Sequence, residues 1–318
     1  RTIARRKVLT MGRRRRGRDV HGWVVLDKPR GLGSTPALGR VQRILDARKA
    51  GHAGTLDPLA EGLLVVGLGE ATKLISRIMD APKTYQFVIG FGEQRDTGDL
   101  EGSVIGLSDH RPSRDDIEGI LGEFTGRISQ VPPRYSAIME QGKRAYDRAR
   151  AGEEFELAAR DVEVHELKNL GETDQGPLLE VTCGKGLYVR VLAEDIARRL
   201  GGLGHVRFLR RTKTAGFVQS DALGLEKLEE IVHKGAALSG VLPLETVLDD
   251  IPVLELDGRQ GWQVANGQTI RVGNQDTPDG EMLVRANGAP LALGHLASGM
   301  FRPKTKFNLD VGEKKNVD

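Results

Sequence analysis

Cysteine is almost absent from this chain, since Cys183 is the only one among 318 residues. A single thiol excludes an internal disulfide and a zinc site made of several cysteines. Cys183 has no obvious base beside it in the sequence, which argues against a thiol nucleophile. The seven histidines show neither an HExxH motif nor paired-ligand spacing. Metal-dependent chemistry is therefore not expected.

Long apolar runs are missing as well. No segment has the length of a transmembrane helix or the apolar core of a signal peptide, so we expect a cytoplasmic protein without membrane contact. Aromatic residues make up only 4% of the chain, which makes each of them informative. Hydrophobic residues at 39% and charged residues at 29% are typical of an ordinary globular protein, and 318 residues suffice for two domains.

Acidic residues are missing from the N-terminal segment. Residues 1–18 contain nine Lys or Arg and no acid, which leaves 38 basic against 44 acidic residues in 19–318, although the net charge is +3. Affinity for nucleic acid must then come from local patches and from this arm, which includes the run from Arg13 to Arg16. A disordered solubilising tail is the alternative interpretation of the arm.

Strand-like and helix-like segments alternate between residues 21 and 245, which predicts an α+β domain. Ser113 with Asp116 resembles a capping box at a helix start, and Gly201 follows an apolar helical face as a C-terminal stop. Residues 246–308 are short-stranded and rich in glycine, which predicts a small second domain. Residues 1–20 and 309–318 are interpreted as a basic arm and a polar tail. Strands are predicted over residues 22–26, 85–91, 160–167 and 178–183.

One aspartate stands on a short glycine-flanked loop, in the sequence GHAGTLDPLA of residues 51–60. Ser34 and Thr35 upstream can cap a helix, and residues 63–66 downstream are typical of a buried strand. Pro58 biases Asp57 away from the helical region, so the carboxylate is presented by a stiff connection. A turn aspartate that bonds its own loop is the structural alternative.

Two other motifs resemble known sites only superficially. The segment GLGEATK at residues 67–73 lacks the third glycine of a dinucleotide fingerprint and the Gly-Lys-Ser/Thr of a Walker loop. Asp96-Thr97-Gly98 resembles half of an aspartic protease, which needs two such carboxylates sharing a proton. Only one copy is present, so a turn is the preferred interpretation.

Arg190 is a candidate charge partner for Asp57. The segment GKGLYVR at residues 184–190 connects a predicted strand to a predicted helix, which puts Arg190 near the helix start and beside its apolar face. An arginine close to an aspartate lowers the carboxyl pKa and keeps it ionised. A surface charge is the alternative role for this arginine.

In these motifs the chain resembles the TruB family of bacterial tRNA pseudouridine synthases, and the matches run in order from residue 21 along almost its whole length. Gly33 and Gly184 depart from the family pattern, since a serine is more usual at both positions. The matching segments are VLDKP at 25–29, KAGH at 49–52, DPLA at 57–60, LGEATK at 68–73, KTY at 83–85, RDTGD at 95–99, residues 132–137, QGK at 141–143 with Tyr146, and residues 183–190.

The resemblance implies an α+β pseudouridine synthase fold, with a mixed, largely antiparallel central sheet flanked by helices and loops. It implies a catalytic domain over residues 21–245, an RNA-clasping insertion at about 123–155, and a small β-rich PUA-like RNA-binding domain over 246–308. The implied reaction converts uridine 55 in the T-arm loop of tRNA to pseudouridine, without metal or cofactor. No obligate protein partner is expected.

Residue roles follow from the same resemblance. Asp57 would be the catalytic carboxylate and Arg190 its partner, while Tyr85 would stack on a uracil flipped out of the RNA. His52 would enter the space that this base leaves. The pocket itself would be lined by Lys28, Tyr188 and Leu209.

Two basic clusters are candidate phosphate contacts, and a solvated helix face is the alternative for each. The first lies within the implied insertion and has Tyr135 and Tyr146 interleaved. Its cations are Arg134, Lys143, Arg144, Arg148 and Arg150. The cations of the second are Arg207, Arg210, Arg211 and Lys213.

Three other functions are open at this point. One is a non-catalytic RNA-binding or tRNA-folding protein that uses the same pocket. Another is a guide-RNA-dependent pseudouridine synthase subunit that modifies ribosomal RNA. An aspartic protease comes last, because it would require Asp96 of two subunits to meet.

Overall fold

The structure is a computed structural model that describes residues 17–136, 138–140, 142–272 and 278–309. The arginine run Arg13 to Arg16, most of the predicted tail, and Ala137 and Gln141 lie outside these residues. The described strands are β1 Gly22–Lys28, β2 Ala50–His52, β3 Glu61–Leu68, β4 Lys83–Phe91, β5 Glu93–Arg95, β6 Val104–Leu107, β7 Gly126–Gln130, β8 Met139–Glu140, β9 Lys143–Arg144, β10 Arg160–Thr173, β11 Gly176–Cys183, β12 Gly204–Thr214, β13 Phe217–Val218, β14 Val253–Leu256, β15 Ile270–Arg271, β16 Gly280–Ala286, β17 Ala289–Ala297 and β18 Met300–Lys306.

Helices and short 3₁₀ segments connect these strands. In the part of the chain described, no helix is long and apolar enough to cross a membrane. The 3₁₀ segments are Gly69–Leu74, Leu121–Phe124, Gln219–Asp221, Ala237–Gly240 and Leu244–Val247. The α-helices are α1 Ser34–Ile44, α2 Ile75–Asp80, α3 Arg114–Ile120, α4 Ala145–Arg150, α5 Val189–Arg199, α6 Leu225–His233 and α7 Gly258–Ala265.

The main domain is built on one large sheet of nine described strands, in the order β1-β3-β12-β4-β11-β10-β7 with β2 and β13 at its sides. Only the β3–β12 pair is parallel among the described pairings of this sheet. The predicted fold class, α+β with a mixed and largely antiparallel sheet, is confirmed.

Alternation along β4 explains how this sheet forms its core. Phe87 and Ile89 are buried on one face, and Tyr85 and Phe91 pack against the same cluster at its margins. Helix α5 covers this face with an apolar stripe that includes Leu192 and Ile196. The stripe recurs with helical spacing, which is why the sequence pattern predicted the helix.

The small C-terminal unit has its own five-stranded sheet, in the order β14-β16-β17-β18-β15, and a core that includes Val264 and Phe301. A second apolar cluster joins this unit to the main domain, because Leu293 and Phe307 pack in it together with Trp23. The small sheet is therefore docked on the main domain near β1 and β3. The expected β-rich second unit is present, and its exact boundaries remain a prediction.

Most predicted elements occur where the sequence pattern placed them. The Ser113–Asp116 capping box starts α3, and Gly201 follows α5 with a φ of +80°. The predicted cap of α1 is wrong, since Gly33 occupies the N-cap position and no side chain caps this helix. Ser34 is the first helical residue, and its hydroxyl bonds to a distant loop instead.

Candidate active site

Asp57 lies in the loop between β2 and β3, and several backbone contacts fix this loop. Gly54 has a φ of +101°, a conformation that favours glycine, so the chain can turn before Asp57. The Ser34 hydroxyl, 4% exposed, accepts a hydrogen bond from the Leu56 amide at 2.7 Å and donates to the Leu56 carbonyl at 2.8 Å. Beyond Asp57, the Pro58 carbonyl accepts from Gly31 N at 2.8 Å. The carboxylate is therefore held from both sides.

Arg190 is the ion partner of Asp57. Its Nε lies 2.9 Å from Asp57 Oδ2, and the arginine side chain is 5% exposed whereas that of Asp57 is 38% exposed. Its Nη1 donates to the Thr97 carbonyl at 2.7 Å and its Nη2 to the Tyr135 carbonyl at 3.0 Å. The first turn of α5 thus carries a guanidinium in which each nitrogen has an acceptor, and it faces a partly exposed carboxylate.

Asp99 is a site residue to which the sequence analysis assigned no role. Its Oδ2 lies 3.7 Å from Arg190 Nε, and its side chain is buried. Thr97 Oγ1 and the Glu101 amide donate to Asp99 Oδ1 at 2.7 Å and 3.0 Å. Arg190 therefore lies between two carboxylates. The sequence signal was the RDTGD segment at residues 95–99. Asp99 could not be distinguished there from the other polar residues typical of a turn.

The pKa of Asp57 is raised, which contradicts the expectation of a lowered value. Loss of hydration in the pocket is the largest cause, and Arg190 opposes it while Asp99 adds to it. One ion pair, shared with a second carboxylate, does not offset the partial loss of hydration of Asp57. The ion pair itself lies where the sequence pattern placed it.

A cavity of about 360 Å³ opens on one side of Asp57. The predicted residues Tyr85, Tyr188 and Leu209 line its walls, together with Arg190. A groove of about 1070 Å³ lies on the other side of Asp57 and is lined by His52, Tyr135 and Arg150 among others. Asp57 thus stands at the junction of a small, partly apolar pocket and a wide groove.

His52 lines the groove and not the small pocket. Among the described contacts its Nδ1 is buried without a hydrogen-bond partner. Burial lowers the pKa of His52, and the nearby charge of Arg211 lowers it further. A neutral imidazole therefore lies at the groove, close to the loop that carries Asp57.

Lys28 does not line the pocket as expected, because its side chain is fully buried at 0% exposure. Its Nζ donates to the carbonyls of Leu32 at 2.5 Å, Pro29 at 3.0 Å and Pro58 at 3.3 Å. Burial lowers the pKa of Lys28 to about 8, against the opposing charge of Asp57. Lys28 therefore connects the end of β1 to the loop that carries Asp57, through buried hydrogen bonds.

The first basic cluster is organised around one glutamate. Glu153 accepts from Arg148 Nε at 2.7 Å and from Lys143 Nζ at 3.3 Å, and its backbone carbonyl accepts from Arg134 at 2.7 Å. The guanidinium groups of Arg134 and Arg148 also lie over the ring of Phe155. The side chain of Arg144 lies outside the described part of the chain.

Two cations of the second basic cluster, Arg210 and Arg211, are paired or buried, which corrects the prediction for these two residues. Arg210 forms ion pairs with Asp27 at 2.8 Å and with Glu61 at 2.9 Å. Arg211 is 1% exposed and donates to the carbonyls of Leu63 and Gly54 at 2.7 Å and 3.2 Å. The sequence shows the positive charges but not their neutralisation and burial by the neighbouring strands.

No three His, Cys, Asp or Glu side chains are arranged to hold a metal ion within the described residues. The arrangement around Asp57 instead offers an anionic oxygen, a fixed cation behind it, and an aromatic ring in the adjacent pocket. A carboxylate so placed can act as a nucleophile or as a base.

Comparisons with known proteins assign the chain to a family. Residues 42–189 match the model of the TruB family pseudouridylate synthase N-terminal domain, and residues 190–249 match the tRNA pseudouridylate synthase B C-terminal domain. The chain is 47% identical over 304 residues to tRNA pseudouridine synthase B of Bradyrhizobium diazoefficiens, covering 93% of this chain and 88% of that protein. It is 43% identical over 309 residues to tRNA pseudouridine synthase B of Caulobacter vibrioides. That match covers 94% of this chain and 100% of the Caulobacter protein.

Solved structures show the same fold. A crystal structure of a Cbf5-Nop10-Gar1 complex contains a chain with a TM-score of 0.67 and 22% identity, covering 90% of this chain and 84% of that chain. The fold and the two family-model matches define a class of protein, the RNA-modifying isomerases. The chain belongs to the TruB family of pseudouridylate synthases, and it is a pseudouridine synthase.

Proposed function

We propose that this enzyme converts uridine 55 in the T-arm loop of tRNA to pseudouridine. The observation that carries the proposal is Asp57, with Arg190 at 2.9 Å, at the junction of a base-sized pocket and a wide groove. The curated relatives of similar length are named for action on tRNA, which supports tRNA as the substrate class. The choice of the T-arm uridine follows from the family resemblance of the catalytic loop.

Asp57 acts as the catalytic carboxylate. The reaction breaks the bond between N1 of uracil and C1′ of ribose, turns the base, and forms a bond between C5 and C1′. One proton leaves C5 and one is taken up at N1, so no oxidant, reductant or energy source is needed. Attack at C1′ of the ribose, attack at C6 of the uracil and proton removal at C2′ all require an ionised carboxylate beside the target nucleotide. Arg190 supplies the fixed positive charge that favours this ionised form.

The target uracil leaves its stack and enters the small pocket. Extrusion of a base costs a few kcal/mol, which stacking and edge contacts in the pocket offset. Tyr85 provides the stacking surface, and Leu209 and Tyr188 close the walls. His52, on the groove side of the loop, enters the space that the base leaves in the RNA.

The first basic cluster holds the RNA outside the pocket through its phosphates. Glu153 contacts three cations of the proposed insertion, Arg134, Lys143 and Arg148, and Phe155 packs under the guanidinium of Arg148. These contacts hold the three cations close together. The small C-terminal unit adds a second RNA-binding surface, as PUA-like domains do. No guide RNA or protein partner is needed for recognition.

Release of the C5 hydrogen tests this function. Purified protein is incubated with tRNA transcripts labelled at C5 of uridine, without cofactor, metal or guide RNA. We expect stoichiometric release of one C5 hydrogen per tRNA, and none from a matched transcript with cytidine in place of uridine 55. Release that persists with the cytidine transcript would place the reaction at another uridine. Absence of release from bare tRNA would favour the guide-dependent or non-catalytic alternatives.

A further inference from the structure

Arg211 lies at the small pocket with only 1% of its surface exposed, so it offers almost no surface to an RNA phosphate. It lies on β12 between Gly62 of β3 and Tyr85 of β4, in register with both. Side chains at paired positions of adjacent strands lie within contact distance of each other. A buried guanidinium needs several acceptors, and this one uses the Leu63 and Gly54 carbonyls.

The remaining nitrogen of the Arg211 guanidinium, Nη1, faces Tyr85 in the pocket. Its Nη1 lies 3.5 Å from Tyr85 Oη, and its guanidinium carbon lies 5.9 Å from the centre of the Tyr85 ring. That hydrogen bond is long, but such contacts are often long in free enzymes and shorten when the substrate binds. Because Gly54 belongs to the catalytic loop, one guanidinium connects this loop to the stacking tyrosine.

We propose that Arg211 is a positioning residue that holds the Tyr85 hydroxyl against the catalytic loop and favours the phenolate form needed to remove the C5 proton. The role of Arg211 rests on the proposed function, because removal of the C5 proton, assigned here to Tyr85, is a step of that reaction. After the C5–C1′ bond forms, C5 carries both hydrogen and ribose. The Tyr85 phenolate takes the proton, and the electrons of the C5–H bond restore the double bond between C5 and C6.

The electrostatic surroundings support the same role. Burial raises the pKa of the Tyr85 phenol, and the charge of Arg211 acts against that rise. Without the guanidinium, the phenolate would form in a partly apolar pocket with Asp57 as a nearby like charge. Arg211 is therefore the one cation that contacts the phenol oxygen in the described part of the pocket.

Arg211→Lys separates this role from a purely structural one. Lys28 and Lys83 each bury an ammonium group on backbone carbonyls in this protein, so a lysine at position 211 can keep the carbonyl contacts and lose Tyr85. We expect kcat to fall about tenfold to a hundredfold, as for loss of a hydrogen bond to a charged group, with RNA affinity unchanged. Arg199 lies on α5 and forms an exposed ion pair with Glu123, so Arg199→Lys is the matched control and should keep normal kcat.

A double-mutant cycle with Tyr85→Phe then tests the link between the two residues. We expect Arg211→Lys to have much less effect on kcat in the Tyr85→Phe background than in the wild type. In protein labelled with 3-fluorotyrosine, the Tyr85 resonance should titrate at higher pH in Arg211→Lys than in wild type. Additive effects on kcat, or an unchanged Tyr85 titration, would overturn the proposal.

The test does not depend on the folding of the lysine variant. Arg190 and Arg211 are the two buried arginines among the described residues, so two guanidinium groups should be protected from proton exchange with solvent. Tyr85→Phe must shift the NMR resonances of one of them, because its Nη1 loses an acceptor. Unchanged resonances would overturn the proposal. Absent turnover of tRNA by the wild type would instead refute the proposed function, and the NMR result would be unaffected.

Discussion

The hydroxyl of Ser34 forms two hydrogen bonds with a single residue, Leu56, accepting from its amide at 2.7 Å and donating to its carbonyl at 2.8 Å. Ser34 begins α1, and Leu56 immediately precedes Asp57. The start of one helix therefore sets the position of Asp57, the proposed catalytic carboxylate. Small displacements of reacting groups have large effects on rate, so this pair of bonds has consequences that can be measured.

Ser34→Ala should lower kcat about tenfold to a hundredfold with little change in RNA affinity, because the loop before Asp57 loses its anchor. Single-turnover kinetics and a binding titration measure the two quantities. Ser113→Ala is the control, since it removes an exposed helix cap of α3 far along the chain. It should cost about 1 kcal/mol of stability without changing kcat. Equal kcat for Ser34→Ala and wild type would show that the anchor has no role in catalysis.

Asp99→Asn should move the acidic limb of the pH–rate profile to lower pH. The charge of Asp99 is one cause of the raised pKa of Asp57, so an uncharged isostere lets Asp57 ionise in more acidic solution. The plateau of kcat should also fall, since Arg190 loses a carboxylate at 3.7 Å. Profiles of kcat/KM against pH report the position of the limb. A limb that stays in place, or moves to higher pH, would contradict the assigned electrostatics.

Asp57→Asn should be more stable than wild type at neutral pH. A carboxyl whose native pKa is raised binds its proton more tightly in the folded state, so wild-type stability falls as pH rises from the unfolded value of 3.8 through the native one. The asparagine has no such titration. Urea unfolding at a series of pH values should show a stability difference that grows over this window and is constant above it. A stability difference that shrinks as pH rises would mean that the charge of Arg190 outweighs burial and lowers the pKa of Asp57.

The two basic clusters should differ in the salt dependence of RNA binding. Lys143 is 68% exposed and paired only weakly with Glu153, so Lys143→Gln should lower the slope of log K against log salt by about 0.7 to 0.9. Arg210→Gln should leave this slope unchanged, because Arg210 is neutralised by Asp27 and Glu61. Equal changes for both variants would show that the ion pairs of Arg210 open when RNA binds.

Local patterns predicted much of the fold. The alternation from Tyr85 to Phe91 marked β4, and the apolar stripe with Gly201 marked α5, because both depend on residues close together in sequence. The partner of Ser34 lies 22 residues away in another element, so the sequence pattern predicted a helix cap instead. The burial of Lys28 and Arg211 could not be predicted from the sequence either, since a charged residue type does not show which backbone carbonyls will surround its side chain.

The candidate site was predicted mainly through resemblance. Asp57 and Arg190 are far apart in sequence, and no periodicity connects the loop after β2 with the start of α5. Their contact depends on the strand order β3-β12-β4-β11, which brings the loop before β3 and the segment after β11 to one end of the sheet. The direction in which the Asp57 pKa is shifted could be determined only from the structure, because the loss of hydration depends on all the residues around the pocket.

The most direct test of the central claim compares wild type with Asp57→Asn in the C5 hydrogen release assay, with RNA binding measured on the same samples. The substitution keeps the size of the side chain and removes its charge. We predict that turnover falls by at least about 10³-fold, which corresponds to about 4 kcal/mol of transition-state stabilisation, while RNA affinity is preserved. Turnover by Asp57→Asn at the wild-type rate would show that this carboxylate is not the catalytic group.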